Sequence, residues 1–271
     1  GFITRGGQFA VAVSEASTAM DAVHRHRYAG VLPGLLAIVV LVVGVTASVL
    51  AWEHSRQRER SLVENAFVAE ADRLVAVIKR QLDTYAVVMR GLQGLFQGAR
   101  EVQYHDFLAY TRALQATSDV AGLQGVAWVE LVRREQLAAH TAKVRSQLPI
   151  DYTIHPGSDS EVLAPIIYIE PLTGDNLAAI GLDIYQVPRA REAAELARDS
   201  GSIVITRPIG LVQDSQRDPS PSFVMYLPVY AAGLAADTVA ARREHIIGFV
   251  DIPFRVSDLM AGLRNEINPA I

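Results

Sequence analysis

The chain has 271 residues, enough for one large domain or two small ones with an ample core. Its net charge of −4 gives no basic field for nucleic acid, and the absence of cysteine removes disulfides, thiolate catalysis and cysteine-ligated metal. Half of the residues are hydrophobic and the mean hydropathy is +0.20, an apolar excess that needs a location.

Gly1 stands where a methionine would open a full chain, and Ile271 follows directly on an amphipathic segment, so both ends read as edges of a fragment. Residues 1–28 read as a cytoplasmic N-terminal segment, and 266–271 as the start of a continuation. The apolar excess lies in residues 29–52, AGVLPGLLAIVVLVVGVTASVLAW, which contain no charge. At about 1.5 Å rise per residue this run reaches roughly 36 Å, enough to cross a hydrocarbon core of about 30 Å. Pro33 and Gly34 fall in the expected first turn, where a missing backbone donor costs least, and Trp52 sits where an interfacial aromatic belongs. A cleaved signal peptide has an apolar region of only about 7–15 residues behind a short basic head, so the segment reads as a membrane anchor. Arg25 and Arg27 on one side are matched by Arg56, Arg58 and Arg60 on the other, and charge leaves the orientation open.

Residues 53–98 carry Leu62, Phe67, Ala71, Leu74, Ile78, Leu82, Tyr85, Met89, Leu92 and Phe96 at intervals of three to five, the period of an amphipathic helix. This stalk exceeds an ordinary globular helix, so part of it must pack on the following domain or on a second copy. Periodicity alone leaves open whether it relays a displacement or is a passive spacer.

Residues 99–265 read as a globular α+β domain. Tyr104–Thr117 predicts a helix, Leu123–Val132 a half-buried strand and Arg133–Gln147 a second helix. Strands are predicted at Tyr152–His155, Val162–Ile169 and Ala178–Ile184. A helix opened by Pro188 and closed by Gly201 follows, then strands at Ile203–Thr206, Phe223–Ala231 and His245–Ile252, and a last helix from Val256 to about Asn265. Segments 156–161, 213–222 and 232–244 read as surface loops.

No metalloprotease, P-loop, dinucleotide-binding or nucleophile-elbow motif is present. The histidines are scattered singly, so no metal site, cofactor or catalytic centre is expected. The informative stretch is Tyr168-Ile-Glu-Pro-Leu-Thr-Gly-Asp-Asn-Leu-Ala-Ala-Ile-Gly-Leu-Asp183. If this ends as a strand, Gly181, Asp183 and Tyr185 share one face. Asp183 is then a carboxylate beside a residue without a side chain, open to an amine or ring N–H. The plainer alternative is an ion pair with Arg189 or Arg191.

Four blocks together resemble the CHASE domain (cyclase- and histidine-kinase-associated sensory extracellular). They are Gly125-Val-Ala-Trp-Val-Glu130, the Tyr168–Asp183 run, Pro188–Gly201 with Thr206-Arg-Pro-Ile-Gly-Leu-Val-Gln213, and Phe223–Tyr230 with Ile247–Arg255. The resemblance implies an extracytoplasmic, periplasmic location for residues 53–271. It further implies a long helix followed by tandem PAS-like antiparallel sheet subdomains, and a small-molecule pocket in the membrane-distal one. A second spanning helix and a cytoplasmic output domain beyond Ile271 are implied too, of the diguanylate cyclase, phosphodiesterase (cyclic-di-GMP) or two-component histidine kinase class. By the same resemblance Asp183 is the pocket acid and Ile205, beside Thr206, a backbone contact. Tyr226 occupies pocket volume where plant cytokinin receptors carry a small hydroxyl residue, and Trp128 is a pocket wall or a core residue. A homodimer paired through the stalk, attached to the membrane and binding a small molecule, is the expectation. The alternative is a membrane-tethered interaction domain without a ligand.

Overall fold

The computed structural model describes residues 5–99, 101–117, 125–212 and 221–260. The chain divides into two compact units, Gly1–Asp72 and Arg73–Ile271, with the boundary inside a single helix, α1 (Arg5–Gly98). Because α1 begins at Arg5, Pro33 is internal to it rather than in its first turn. The missing hydrogen bond is thus spent inside a helix, a position that membrane helices accept more readily than soluble ones.

In the first unit, Pro33–Arg56 is long and apolar enough to cross a membrane, with a mean hydropathy of 2.7 and none of it buried. Thr46 in this stretch donates its hydroxyl to the Val42 carbonyl at 2.7 Å, so its polar atom is satisfied within the helix. The Arg56 guanidinium lies 4.0 Å from the Trp52 ring centroid, joining a cation and an amphipathic ring at the polar end of the run.

In the second unit the centre is a five-stranded antiparallel sheet. Its strands are β1 (Val126–Glu130), β4 (Ile166–Glu170), β5 (Val204–Ile205), β6 (Ser222–Tyr230) and β7 (Ile246–Arg255), in spatial order β4-β1-β7-β6-β5. This is the expected α+β class with a PAS-like sheet. Beside it, among the described residues, lies a two-stranded sheet of β2 (Val132–Arg133) and β3 (Val162–Leu163).

Register fixes what each face carries. Trp128 pairs with Val250, and Tyr226 with Asp251, so Trp128 and Tyr226 point to opposite faces. On the Trp128 face, α1 lays down Tyr85, Met89, Leu92 and Phe96, all buried, at helical spacing. The Phe96 and Trp128 rings stack at 3.8 Å, and Phe107 of α2 (Tyr104–Thr117) packs on Phe96 and Tyr168. Gly248 makes this possible. A Cβ there would meet the Val129 carbonyl at 2.1 Å and the Trp128 ring at 2.6 Å. The opposite face is covered by α4 (Pro188–Ser200), whose buried Ala190, Ala193, Ala194 and Ala197 allow a close approach. Pro188 starts α4 and Gly201 caps it in the left-handed region at φ 72°, as expected from the sequence. Two prolines sit inside central strands, Pro228 and Pro253. Each lies past the last residue that its outer neighbour pairs, so no ladder bond is lost there.

Several expected elements differ. Residues 178–184 form no strand. Gly174–Ala179 is a 3-10 helix, and Gly181–Ile184 is an irregular segment hydrogen-bonded on both sides, to 155 and to 164–166. Tyr152–His155 keeps only an isolated bridge from His155 to Leu182. Loop 232–244 contains α5 (Val239–His245), capped by the Thr238 side chain accepting from the Ala241 N–H at 3.1 Å. Arg133–Gln147 splits into a 3-10 turn and α3 (Leu137–Gln147). Residues 256–260 are helical, while the rest of that predicted helix, loop positions 213–220 and the 266–271 continuation lie outside the described residues.

Candidate functional site

Asp183, the acid favoured by sequence, is fully buried. Its Oδ1 accepts the Ala164 N–H at 2.9 Å and the Tyr185 N–H at 3.1 Å, and its Oδ2 accepts from Gln186 Nε2 at 3.1 Å. It thereby caps the 3-10 helix Ile184–Gln186 and ties it to the 164 segment. The expected shared face with Gly181 and Tyr185 does not form, because the chain is irregular there. Gly181 has φ 83°, and a Cβ on it would stand 2.0 Å from the Thr153 carbonyl. The room its missing side chain leaves is filled by this neighbouring backbone. Nor do the nearby arginines take the carboxylate. Arg191 pairs with Glu195 at 2.9 Å and lies over the Tyr185 ring, and Arg189 donates to the Pro208 carbonyl.

Thr206 is likewise bound into the fold. Its Oγ1 accepts the Val224 N–H at 3.0 Å and its own N–H donates to the Val224 carbonyl, extending the β5–β6 pairing by a residue. Thr206→Val, which keeps shape but orphans a buried N–H, is expected to lower stability by about 1–2 kcal/mol in urea denaturation. Ile205 pairs with Met225 and is 40% exposed.

Tyr226 faces a cavity together with a buried acid. A cavity of about 50 Å³ lies on the α4 face of the sheet. It is walled by Leu182 and Ile184, which flank Asp183, by Val187 and Ala190 at the start of α4, and by Val224, Tyr226 and Asp251 of the sheet. Asp251 is buried, and its Oδ1 has no hydrogen-bond partner. Burial alone pushes its carboxyl up to about 7, and burial with the adjacent acid holds the Tyr226 phenol well above its ordinary value. Sequence reasoning passes over Asp251. The available signal is an acid in the run Ile247-Gly-Phe-Val-Asp-Ile-Pro-Phe254, which is otherwise apolar throughout.

A second, larger cavity of about 200 Å³ opens on the other face, with Trp128, Phe96, Tyr168, Glu101, Glu130 and Lys143 around it. One ion pair and one buried acid lie here. Lys143 pairs with Glu101 at 2.9 Å, while burial pushes the Glu130 carboxyl up and lowers nearby His140 to about 4, so the imidazole 3.5 Å from Glu130 is neutral near pH 7. Trp128 borders this space, so the five expected residues do not converge on one pocket.

Comparisons with known proteins bear on the whole chain. It is 21% identical over 235 residues to hybrid signal transduction histidine kinase A of Dictyostelium discoideum, covering 82% of this chain but 11% of that protein's length. The chain thus spans about a ninth of this relative. Among solved structures it is similar to the ligand-binding domain of the amino acid chemoreceptor PctC of Pseudomonas aeruginosa PAO1, in complex with GABA. The TM-score is 0.40 at 15% identity, over 76% of this chain and 66% of the other. The model of the CHASE domain matches residues 100–271, which is more than half of the sequence, and the chain belongs to the CHASE domain family.

Proposed function

We propose that this chain is the ligand-sensing region of a transmembrane signalling receptor. In this reading α1 crosses the membrane through Pro33–Arg56, residues beyond it face the extracytoplasmic (periplasmic) side, and a small molecule enters the α4-face cavity beside Tyr226 and Asp251. The CHASE family is sensory, and the observation that carries the ligand role is the buried Asp251, which lines an otherwise apolar cavity and whose Oδ1 has no hydrogen-bond partner. A filled, pocketless sheet would instead have supported an interaction domain. Asp183 acts in this reading through position, fixing Leu182 and Ile184 as cavity wall.

α1 belongs to both compact units, so it is the covalent route by which occupancy can reach the membrane. A ligand shifts two arrangements only by its differential affinity for them. Phe67 is 74% exposed on this helix, with Val75 also exposed about two turns on, which supports pairing of two chains along the stalk. The output, of the histidine kinase or cyclic-di-GMP class, would lie in a longer parent protein.

The absence of cysteine makes the topology directly testable. Leu196→Cys places one thiol on the exposed side of α4. In spheroplasts of a Gram-negative host it is expected to react with a membrane-impermeant maleimide before lysis. Reaction only after lysis would put the sensor in the cytosol and end the receptor reading.

A further inference from the structure

Asp251 occupies the middle of β7 with strands on both sides, opposite Ala127 of β1 and Tyr226 of β6. It is 3% exposed and lines the α4-face cavity, and its Oδ1 is buried without a hydrogen-bond partner. Apart from Tyr226, the side chains around that cavity are aliphatic, and among the described residues no arginine, lysine or histidine lines it. A buried acceptor left unpaired is costly, so an acid held there in place of an apolar residue needs an occupant that donates to it. An anionic ligand would meet a like charge with no counter-ion, and a ligand bearing only acceptors would leave Oδ1 unpaired once the carboxyl ionises. What completes the site is a donor that carries its own positive charge on a small apolar body.

Taking the receptor reading above as its basis, we propose that the cavity binds a small primary ammonium compound, its –NH3+ donating to the Asp251 carboxylate and its aliphatic body packing on Leu182, Ile184 and Val224. Size bounds the ligand. At roughly 10–15 Å³ for one water-sized group, about 50 Å³ admits on the order of four non-hydrogen atoms. Propylammonium has that size and remains protonated up to about pH 10.

The charge on Asp251 gives the proposal a pH signature. Its carboxyl titrates near 7 through burial. Tyr226 on β6 is the other titratable group of the lining, and β1, α4 and the 182–184 segment present Ala127, Val187, Ala190, Leu182 and Ile184. The ionised fraction of Asp251 therefore rises about tenfold between pH 6 and 8.5, and affinity for an ammonium ion should rise with it.

The test is calorimetric titration of the full chain in zwitterionic lipid nanodiscs with propylammonium and with the neutral isostere 1-propanol. Propylammonium is expected to bind about tenfold more tightly at pH 8.5 than at pH 6, more tightly than propanol, and at least tenfold more weakly in Asp251→Asn. Ala190→Leu fills the cavity from α4 without altering the carboxylate, and should abolish binding as well. That second variant keeps the test sharp should the first fold poorly. Propanol binding as well as propylammonium, with Asp251→Asn indifferent, would overturn the ammonium assignment and leave the cavity as a ligand site. Binding of neither would overturn the assignment too, while the receptor reading answers separately to the labelling of Leu196→Cys.

Discussion

Replacing Asp183 by alanine should cost about 3–5 kcal/mol of folding stability, whereas asparagine should cost about 1 kcal/mol. The carboxylate accepts two buried backbone N–H groups, from Ala164 and Tyr185, and a third bond from Gln186. Alanine strands both backbone donors in a site with no exposure, at about 1–3 kcal/mol each, and removes the cap of the 3-10 helix. Asparagine keeps an Oδ1 for the two backbone donors, and the Gln186 amide can turn to present its oxygen to the new amide group. Urea denaturation of the two variants checks this, and ligand titration separates stability from binding. A stable Asp183→Ala chain that had lost ligand binding would reverse the roles assigned to Asp183 and Asp251.

The contrast between these two acids shows what the sequence could disclose. Periodicity reads correctly where elements are long and regular. Tyr104–Thr117, the Tyr85, Met89, Leu92, Phe96 stripe, and α4 between Pro188 and Gly201 follow from local spacing and capping alone. It fails at 178–184, where the chain is shaped by distant backbone, Thr153 on one side and 164–166 on the other. Alternation of Gly181, Leu182 and Asp183 imitates a strand, but a glycine at φ 83° with a carbonyl in its Cβ position is a close crossing. No window of local sequence contains Thr153 and Gly181 together. α5 escapes the same reading because its seven residues, Val-Ala-Ala-Arg-Arg-Glu-His, are too few to show a helical period, although Thr238 offers a cap.

Asp251 is legible in a different way. Period-two reading of β7 puts it between Phe249 and Pro253 on one face, and a charged residue between apolar neighbours calls for a partner or a function. What the sequence does not contain is the set of neighbours: that Tyr226 stands opposite, that α4 approaches on alanines, and that one carboxylate oxygen finds no donor. The family resemblance draws attention to Asp183, which lies one residue from each of two cavity-lining side chains. The neighbourhood of the cavity is thus reached through a residue that supports it rather than faces it.

Stability of the empty sensor should fall as pH rises from about 4 to 7, and Asp251→Asn should remove that fall. The folded-state value of Asp251 is raised to about 7 by burial, above the ordinary aspartate value of 3.8. A carboxyl raised in the folded state favours the protonated form, so its contribution is complete below about 3.8, is lost progressively up to about 7, and stays lost above. A gap of about three pH units corresponds to roughly 4 kcal/mol, taken as an order of magnitude. Asp199 works in the opposite direction, since hydrogen bonds from Arg243 and Arg198 hold its carboxyl well below the usual range, so the difference between wild type and Asp251→Asn is the quantity to measure. Thermal unfolding at about pH 4.5 and 8 should show the variant gaining on the wild type at the higher pH. An ammonium ligand should do the same by pairing with the carboxylate, because whatever binds only the ionised folded form draws the Asp251 titration downward. Equal pH profiles for wild type and variant would mean that this acid is solvated or paired, and the cavity would then lack the unmet charge on which ligand recognition rests.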